Sequence, residues 1–190
     1  NLVRMSEKVT EVTNNILPNE NIDCIVYGCT SGTIATGYDI IEKKVKAAKP
    51  NTKLTTPSSA LLKALNKFNI KKLSIFTPYS KKLNNEVVDY FSHKGFKITS
   101  NIYLDIAADY DIGKVEEKFL FKILSKIDLK DADALVVSCT ALPVLNIIDK
   151  LEKKLNKMVF SSNQVLIWDT LQNIKKTEPV NGFGKLFLSS

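Results

Sequence analysis

Short apolar runs alternate with helical patterns along the chain, and this alternation constrains the fold more than any other feature of the sequence. Strands are predicted over residues 22–27, 73–77, 96–104, 134–138 and 158–161. The segments between them carry apolar residues at helical spacing, as over 142–155 and 165–174. Because strands that alternate with helices pair in parallel beneath those helices, the pattern predicts an α/β fold.

Two of the three cysteines occupy the same position in this pattern. Cys29 follows the first apolar run in the sequence Cys-Thr-Ser-Gly-Thr, and Cys139 follows the run at 134–137 in Ser-Cys-Thr-Ala-Leu. In parallel α/β folds, the loops after the strands form the ligand crevice. The repeated context therefore predicts that Cys29 and Cys139 are functional, whereas Cys24, inside a strand, is interpreted as a small buried apolar residue.

A cysteine between a strand and a helix lies beside unpaired backbone N–H groups and the positive end of the helix dipole. This environment favours the thiolate and lowers the thiol pKa. The same N–H groups, with the hydroxyls of nearby threonines and serines, could hold a carboxylate or an enolate. Two such loops facing each other could move protons on both faces of a substrate, or combine a nucleophile with a proton donor.

Other chemistries fit the sequence poorly. The single histidine, His93, is predicted on the surface at a helix end, so no cysteine–histidine pair is expected. The sequence has no Cys-x-x-Cys motif and no histidine cluster, and it has no phosphate-binding or dinucleotide-binding glycine motif. We therefore expect neither a metal site nor a bound cofactor.

The net charge of +7 comes almost entirely from lysine, because Arg4 is the one arginine. These lysines are spread along the chain, whereas a nucleic-acid surface more often has clustered arginine with interleaved aromatic residues. No apolar run approaches the length of a membrane span. Three scattered cysteines favour a reducing compartment. We expect a cytoplasmic protein with neither a nucleic-acid nor a membrane partner, and with a mild attraction for anionic substrates.

Five short motifs, taken together and in order, resemble the maleate cis-trans isomerase and arylmalonate decarboxylase branch of the aspartate/glutamate racemase superfamily. They are Tyr-Gly-Cys-Thr-Ser-Gly-Thr at 27–33, Thr-Pro-Tyr at 77–79, Ser-Cys-Thr-Ala-Leu at 138–142, Ser-Ser-Asn-Gln at 161–164 and Gly-Phe-Gly-Lys-Leu-Phe at 182–187. The resemblance implies two similar α/β domains, each with a four-stranded parallel sheet flanked by helices. It also implies an active site in the interdomain crevice, no cofactor and, as in related proteins, a homodimer.

On this resemblance the first domain is expected to comprise residues 1–70 and 162–190, without the strand that opens it in relatives. The second domain is expected to comprise residues 71–161. Cys29 matches the cysteine that adds to the substrate double bond in the isomerases. Cys139 matches the cysteine that donates and accepts the proton there, and that protonates the planar enediolate in the decarboxylases.

The resemblance also implies the substrate contacts. Thr30, Ser31 and Tyr79 match groups that hold a carboxylate or an enediolate, and the backbone N–H groups of Thr140 and Ala141 would hold the other carboxylate. Asp109 stands where the isomerases carry a substrate-binding asparagine. A carboxylate at that position repels a dicarboxylate unless it is protonated or paired with a lysine.

The leading hypothesis is therefore a cofactor-independent isomerase or racemase of a small carboxylate or dicarboxylate, with Cys29 as nucleophile or base and Cys139 as acid and base. One alternative is an arylmalonate-type decarboxylase that uses Cys139 alone. Another is a non-catalytic protein that binds a carboxylate in the same crevice.

Overall fold

The computed structural model describes residues 2–189 of the 190-residue chain. The strands are β1 (Cys24–Val26), β2 (Lys53–Thr55), β3 (Lys72–Thr77), β4 (Lys97–Tyr103), β5 (Ala134–Val137) and β6 (Met158–Ser161). The helices are α1 (Leu2–Met5), α2 (Val9–Asn15), α3 (Thr30–Thr36), α4 (Tyr38–Ala48), α5 (Pro57–Lys67), α6 (Lys81–His93), α7 (Asp109–Ile112), α8 (Glu117–Leu124), α9 (Ile148–Leu155) and α10 (Ser162–Asn173). The predicted α/β alternation is confirmed. Asn1 and Ser190, which end the predicted first domain, lie outside the described residues.

The larger sheet contains four parallel strands in the order β4-β3-β5-β6. Leu73 of β3 pairs with Ala134 of β5, and Ala134 pairs in turn with Met158 of β6. Strand β5 is buried along its whole length, because it lies inside the sheet and is covered on both faces. This sheet has the four parallel strands that were expected over residues 71–161.

The smaller sheet departs from the expectation. Within residues 2–189 it consists of β1 and β2 in parallel, whereas a four-stranded sheet was expected. Strand β2 was not predicted, because a three-residue strand with the sequence Lys-Leu-Thr is too short to show a periodic pattern. Strand β1 is also shorter than the predicted strand, and of its three residues only Ile25 is buried.

Most of the buried apolar side chains form one core around the larger sheet. This core includes Phe76 of β3, Phe160 of β6, Leu65 of α5 and Val165 of α10, each fully buried. A smaller cluster of Val9, Ile25, Ile41, Val45 and Leu54 lies under the two-stranded sheet. Because the larger core includes α5 and α10, it extends well beyond the residues of its own sheet.

Helix α10 connects the two sheets. It directly follows β6 and packs against α5, β1 and β2. Its N-terminus is a capping box, in which the Gln164 N–H donates to the Ser161 hydroxyl and the Ser161 N–H donates to the Gln164 side chain. The first turn of α10 is therefore fixed at the carboxyl end of β6.

The segment after β5 also departs from the expectation. A continuous helix was predicted over 142–155, but the chain forms a 3₁₀ turn at Leu145–Ile147 and enters α9 only at Ile148. Pro143 accounts for this delay, because it has no backbone N–H and disfavours helical geometry in the residue before it. The loop that carries Cys139 is consequently longer than the sequence suggested.

Within residues 2–189, no helix combines the length and the apolar character needed to cross a bilayer. Over the same residues, no three His, Cys, Asp or Glu side chains are grouped in a way that would hold a metal ion.

Candidate active site

Cys29 is the N-cap residue of α3, just beyond the end of β1. Its backbone is extended (φ −128°, ψ 112°), and its sulfur accepts a hydrogen bond of 3.2 Å from the Gly32 N–H. Its carbonyl accepts a 2.7 Å hydrogen bond from the Thr33 hydroxyl. The predicted position of this cysteine, between a strand and a helix, is therefore confirmed. A backbone N–H group of the first turn of α3 therefore lies against the sulfur.

Two hydroxyls predicted to bind substrate lie next to Cys29. The Ser31 hydroxyl is 3.8 Å from the Cys29 sulfur, and both residues are on the first turn of α3. The Thr30 hydroxyl instead forms a buried 2.9 Å hydrogen bond with the Ser162 hydroxyl at the start of α10. Thr30 thus joins α3 to α10, while Ser31 lies beside the sulfur.

Gly32 and Tyr27 also lie beside Cys29, and they were not predicted as site residues although both belong to the motif at 27–33. A Cβ atom on Gly32 would lie 2.9 Å from the Cys29 sulfur and 2.9 Å from the Tyr27 hydroxyl. Glycine at this helical position therefore allows the two side chains to approach each other. The Tyr27 hydroxyl is buried and has no hydrogen-bond partner among the described residues. Burial raises its pKa, and the nearby Cys29 is a second cause.

Cys139 is buried in the loop that follows β5. The Ala141 N–H donates a 3.3 Å hydrogen bond to its sulfur, and the Leu142 N–H and the Tyr79 hydroxyl also donate to it. These hydrogen bonds lower the pKa of the Cys139 thiol, but burial outweighs them and the net shift is upward. The expected lowering of the pKa is therefore wrong for Cys139, since no helix begins at this loop and the site is desolvated.

Tyr79 interacts with both cysteines. Its side chain is 5% exposed, and its hydroxyl donates a hydrogen bond to Cys139 while lying within electrostatic range of Cys29 and Asp109. Burial raises the Tyr79 pKa most strongly, and the negative charges of these three neighbours raise it further. Tyr79 is therefore a neutral phenol at physiological pH and remains a hydrogen-bond donor.

The two cysteine loops are directly connected. The Thr140 hydroxyl donates a 3.0 Å hydrogen bond to the carbonyl of Gly28, so the residue after Cys139 contacts the residue before Cys29. The Asn163 side chain donates a 2.9 Å hydrogen bond to the Thr140 carbonyl. The first turn of α10 thus contacts both loops, because Ser162 holds Thr30.

Of the two predicted backbone donors of the second loop, the Ala141 N–H has a partner within the protein. The Ala141 N–H donates to the sulfur of Cys139, and the Thr140 side chain is engaged with Gly28. Ala141 therefore contacts the second cysteine in this structure, and a role in binding a carboxylate stays a prediction for both residues.

Asp109 is the first residue of α7. Its carboxylate interacts electrostatically with Tyr79 and with Cys139. The segment leading to it is held against the Tyr79 loop, because the Ile106 N–H donates 2.9 Å to the Pro78 carbonyl. Among the described residues, no ion pair includes Asp109.

Cys24 lies apart from this group. It is half-buried, its sulfur accepts a 3.9 Å hydrogen bond from Asn173, and burial raises its pKa. A polar cavity of about 570 Å³ also lies elsewhere, beside residues 21–23 and 50–53 that precede β1 and β2. Because ligands of parallel α/β folds bind at the opposite ends of the strands, we assign the chemistry to the cysteine loops.

The sequence pointed to Ser162 and Asn163 only as part of a motif, and it did not indicate what they contact. Their position directly after a predicted strand could have placed them at the carboxyl edge of the sheet, beside the Cys139 loop. The contact of Thr140 with Gly28 has no such signal, because it joins residues 112 positions apart.

The arrangement suits acid–base or addition chemistry on a small molecule. One thiol accepts a helix N–H group, a second is buried and rests in its neutral form, and a neutral phenol is bonded to the second within electrostatic range of the first. The first can attack or remove a proton, the second can donate a proton, and the phenol can stabilise a developing negative charge.

Comparison with known proteins places the chain in a family. The family model described as "Amdase: Arylmalonate decarboxylase" matches residues 5–187. Among curated proteins, maleate isomerase of Geobacillus stearothermophilus is 25% identical over 178 residues, which cover 90% of this chain and 71% of that protein.

Solved structures show the same fold. The maleate isomerase from Pseudomonas putida S16 superposes with a TM-score of 0.89 at 24% identity, covering 98% of this chain and 78% of that one. A cysteine-to-serine mutant of Nocardia farcinica maleate cis-trans isomerase, which carries a covalently bound succinylcysteine intermediate, superposes with a TM-score of 0.87 at 20% identity. This match covers 98% of the present chain and 79% of the neighbour.

Proposed function

The chain belongs to the arylmalonate decarboxylase family, and we propose that it is a cofactor-independent isomerase or racemase of a small carboxylate. Cys29 acts as nucleophile or base, and Cys139 acts as acid and base. The observation that carries this proposal is the hydrogen bond from Thr140 to Gly28, which joins the two cysteine loops. Tyr79 adds to it, because its hydroxyl bonds to Cys139 and lies within electrostatic range of Cys29.

In the isomerase reaction, the Cys29 thiolate adds to one alkene carbon of the substrate, and the π electrons take a proton from the Cys139 thiol at the other carbon. The former double bond is then single and rotates. The Cys139 thiolate removes the proton that it gave, the C–S bond breaks, and the trans alkene leaves with the Cys29 thiolate restored. The succinylcysteine carried by the Nocardia farcinica neighbour is the adduct that such a step forms from maleate.

The electrostatics of the loops support this division of roles. The Cys29 sulfur accepts the Gly32 N–H at the start of α3, a contact that a sulfur acting as nucleophile can keep. Burial raises the Cys139 pKa, so Cys139 rests as a thiol with a proton to donate. Tyr79, as a neutral donor beside both sulfurs, would hold the enediolate that forms between addition and protonation.

In the racemase reaction, the same two groups lie on opposite faces of a substrate α-carbon. One thiolate removes the α-proton to leave a planar enediolate, and the other thiol returns a proton from the far side. Both reactions need a thiolate and a thiol together. The isomerase reaction restores both groups, whereas the racemase reaction leaves their protonation states exchanged, so a proton must return before the next cycle in the same direction.

The family description favours a second candidate, the decarboxylation of a disubstituted malonate. In that reaction carbon dioxide leaves, the electron pair remains as an enediolate, and Cys139 protonates the α-carbon. Cys29 would have no role in it. The presence of a second cysteine beside Tyr79 therefore ranks this candidate below the two-cysteine reactions.

Proton NMR in D₂O tests these alternatives with maleate, aspartate, glutamate and phenylmalonate. Two-cysteine chemistry predicts conversion of maleate to fumarate, or entry of deuterium at an amino acid α-carbon, which Cys29→Ala and Cys139→Ala each abolish. Cys24→Ala is the matched control and should retain turnover, because Cys24 lies outside the site.

The remaining outcomes separate the candidates. Release of carbon dioxide from phenylmalonate that survives Cys29→Ala would select the decarboxylase. Turnover that persists in both site variants would exclude cysteine catalysis. A thermal shift with these compounds, without any chemical change, would indicate a binding protein.

A further inference from the structure

The peptide unit between Thr140 and Ala141 is held on both sides. Its carbonyl accepts a 2.9 Å hydrogen bond from the Asn163 side chain, and its N–H group donates a 3.3 Å hydrogen bond to the Cys139 sulfur. Because a trans peptide unit is planar, its carbonyl and its N–H group point in opposite directions. The bond from Asn163 therefore fixes the direction of the Ala141 N–H, which is toward the sulfur.

The loop itself gives this peptide unit little support. Residues 138–144 form neither a helix nor a strand, and among the described residues the Asn163 amide is the one hydrogen-bond donor to the Thr140 carbonyl. A peptide unit in such a loop can rotate when one of its two bonds is lost, because only the soft dihedral angles on either side need to change. The orientation of the Ala141 N–H thus depends on Asn163.

Asn163 is itself held rigidly. It is the second residue of α10 and lies between Ser162, whose hydroxyl bonds to Thr30 at 2.9 Å, and Gln164, which closes the capping box with Ser161. Ser162 and Gln164 are buried, whereas Asn163 is half-buried and reaches the loop. The donor is therefore on a fixed helix turn and the acceptor is in a loop, so the helix positions the loop.

We propose, on the basis of the function proposed above, that Asn163 is a positioning residue for Cys139, since through one peptide unit it keeps the Ala141 N–H on the sulfur that gives and takes the substrate proton. A thiolate accepts a hydrogen bond more strongly than a thiol does. The Ala141 N–H therefore favours release of the proton and lowers the Cys139 pKa against the larger effect of burial. Without Asn163, the sulfur holds its proton more tightly and is a weaker acid toward the substrate.

Three further groups act on the Cys139 thiol. The Tyr79 hydroxyl and the Leu142 N–H lower its pKa, and the Asp109 carboxylate raises it. A substitution of Asn163 by another uncharged residue removes none of the three and adds no charge. A change in the Cys139 pKa in such a variant therefore reports on the peptide unit.

Asn163→Leu removes the amide at nearly constant volume, and alkylation by iodoacetamide tests the effect without any turnover. The rate of modification of the Cys139 peptide is measured by mass spectrometry across a pH series. The midpoint of this profile follows the thiolate fraction, whereas access to the buried sulfur changes only its height. The midpoint should rise by about one pH unit in Asn163→Leu, so that modification at lower pH slows about 10-fold. An unchanged midpoint overturns the proposal.

Ser162→Ala is the matched control, because it removes a hydrogen bond from the same turn of α10 to Thr30, the residue after Cys29. Its Cys139 midpoint should equal that of wild type. An equal rise in both variants would mean that any loosening of α10 has this effect, and it would also overturn the proposal. Asn163→Ala repeats the test without a bulky apolar side chain, and it takes the place of Asn163→Leu if that variant does not fold.

The second arm uses the substrate found by NMR. Cys139 must hold its proton to act as an acid, so kcat falls at high pH where that proton is lost. This basic limb of the kcat profile should move to higher pH in Asn163→Leu, by an amount similar to the change in the alkylation midpoint. A midpoint that moves while the limb stays in place would overturn the role of Asn163 in proton transfer. If wild type turns over no compound of the panel, the proposed function fails, and the alkylation midpoint still decides whether Asn163 positions the donor to Cys139.

Discussion

The hydroxyl of Thr140 donates a 3.0 Å hydrogen bond to the carbonyl of Gly28, and so joins the two loops that carry Cys139 and Cys29. Asn163 also holds Thr140, because its side chain donates a hydrogen bond to the Thr140 carbonyl. Two thiols that act on one substrate must keep a fixed separation. The hydrogen bond between the Thr140 side chain and the Gly28 carbonyl fixes that separation, since the two loops share no helix or strand.

Thr140→Val removes this hydroxyl at nearly constant shape. We expect kcat for the substrate found by NMR to fall about 10- to 100-fold, because small displacements of reacting groups have effects of this size. The free energy of unfolding should fall by only about 1 kcal/mol, as for one lost hydrogen bond. Steady-state kinetics and urea unfolding measure the two effects.

Thr10→Val is the matched control for that variant. The Thr10 hydroxyl donates a 3.0 Å hydrogen bond to the Lys44 carbonyl, which joins α2 to α4 and involves neither cysteine loop. Its loss should give a similar change in stability with normal kcat. Equal kcat values for Thr140→Val and Thr10→Val would show that the loops need no such connection.

Tyr79→Phe tests the resting state of Cys139. The Tyr79 hydroxyl bonds to the sulfur and lowers its pKa against the larger effect of burial, so loss of the hydroxyl should raise the Cys139 pKa further. Since only the thiolate reacts, the pH profile of Cys139 alkylation by iodoacetamide should shift to higher pH. Mass spectrometry of the Cys139 peptide gives the rates. Tyr103→Phe, a change at an exposed tyrosine of β4, should leave the profile in place; a profile that does not shift in Tyr79→Phe contradicts the assigned hydrogen bond.

The parts of the fold that could be predicted from the sequence are those with a local signal. Strand β6 was predicted with its observed bounds, Met158–Ser161, because a short apolar run between a helix and a capping serine is distinctive. Strand β2 was missed, since three residues with one apolar side chain carry no period. The late start of α9 follows from Pro143, a local signal that the apolar spacing of the segment obscured.

The site shows the same difference between features with a local sequence signal and features without one. The context of Cys29, between a strand and a helix, is a local pattern, and its position was predicted. The environment of Cys139 depends on burial and on Tyr79, which lies 60 positions earlier in the chain, so its raised pKa could not be inferred from neighbouring residues. The contact between Gly28 and Thr140 is equally non-local.

Gly32→Ala should separate function from stability. The added Cβ atom would lie 2.9 Å from the Cys29 sulfur, so the sulfur must move. Alanine also favours the helix by up to about 1 kcal/mol, which offsets part of the cost of the overlap. We therefore expect a small change in the free energy of unfolding but a loss of turnover of at least about 10-fold.

Gly28→Ala provides the comparison for Gly32→Ala, because a Cβ atom at Gly28 meets no atom within 4 Å. The two variants should have similar thermal unfolding. Only Gly32→Ala should lose turnover in the kinetic measurement. Wild-type turnover in Gly32→Ala would mean that the position of the Cys29 sulfur is not critical.

Glu152 anchors the C-terminal segment to the larger core. Its side chain is buried, and its two oxygens accept the N–H groups of Val159 at 3.0 Å and Lys185 at 2.7 Å. Gly184, at φ +88°, leaves room for this contact, since a Cβ atom there would lie 2.7 Å from an Ile148 methyl group. The buried Glu152 carboxylate thus accepts one N–H group from β6 and one from the C-terminal segment, where a backbone carbonyl would otherwise be the acceptor.

Burial raises the pKa of Glu152 above its usual value of 4.5, despite the two hydrogen bonds. The folded protein therefore binds this proton more tightly than the unfolded chain does. The stability that Glu152 contributes is full below pH 4.5 and is lost as pH rises through the folded pKa.

Glu152→Gln removes this titration, so its free energy of unfolding relative to wild type should become more favourable as pH rises through that window. Urea unfolding at a series of pH values measures the slope. Glu86→Gln, at an exposed residue of α6, should follow wild type at every pH. Parallel curves for Glu152→Gln and wild type would show that Glu152 titrates alike in the folded and unfolded states.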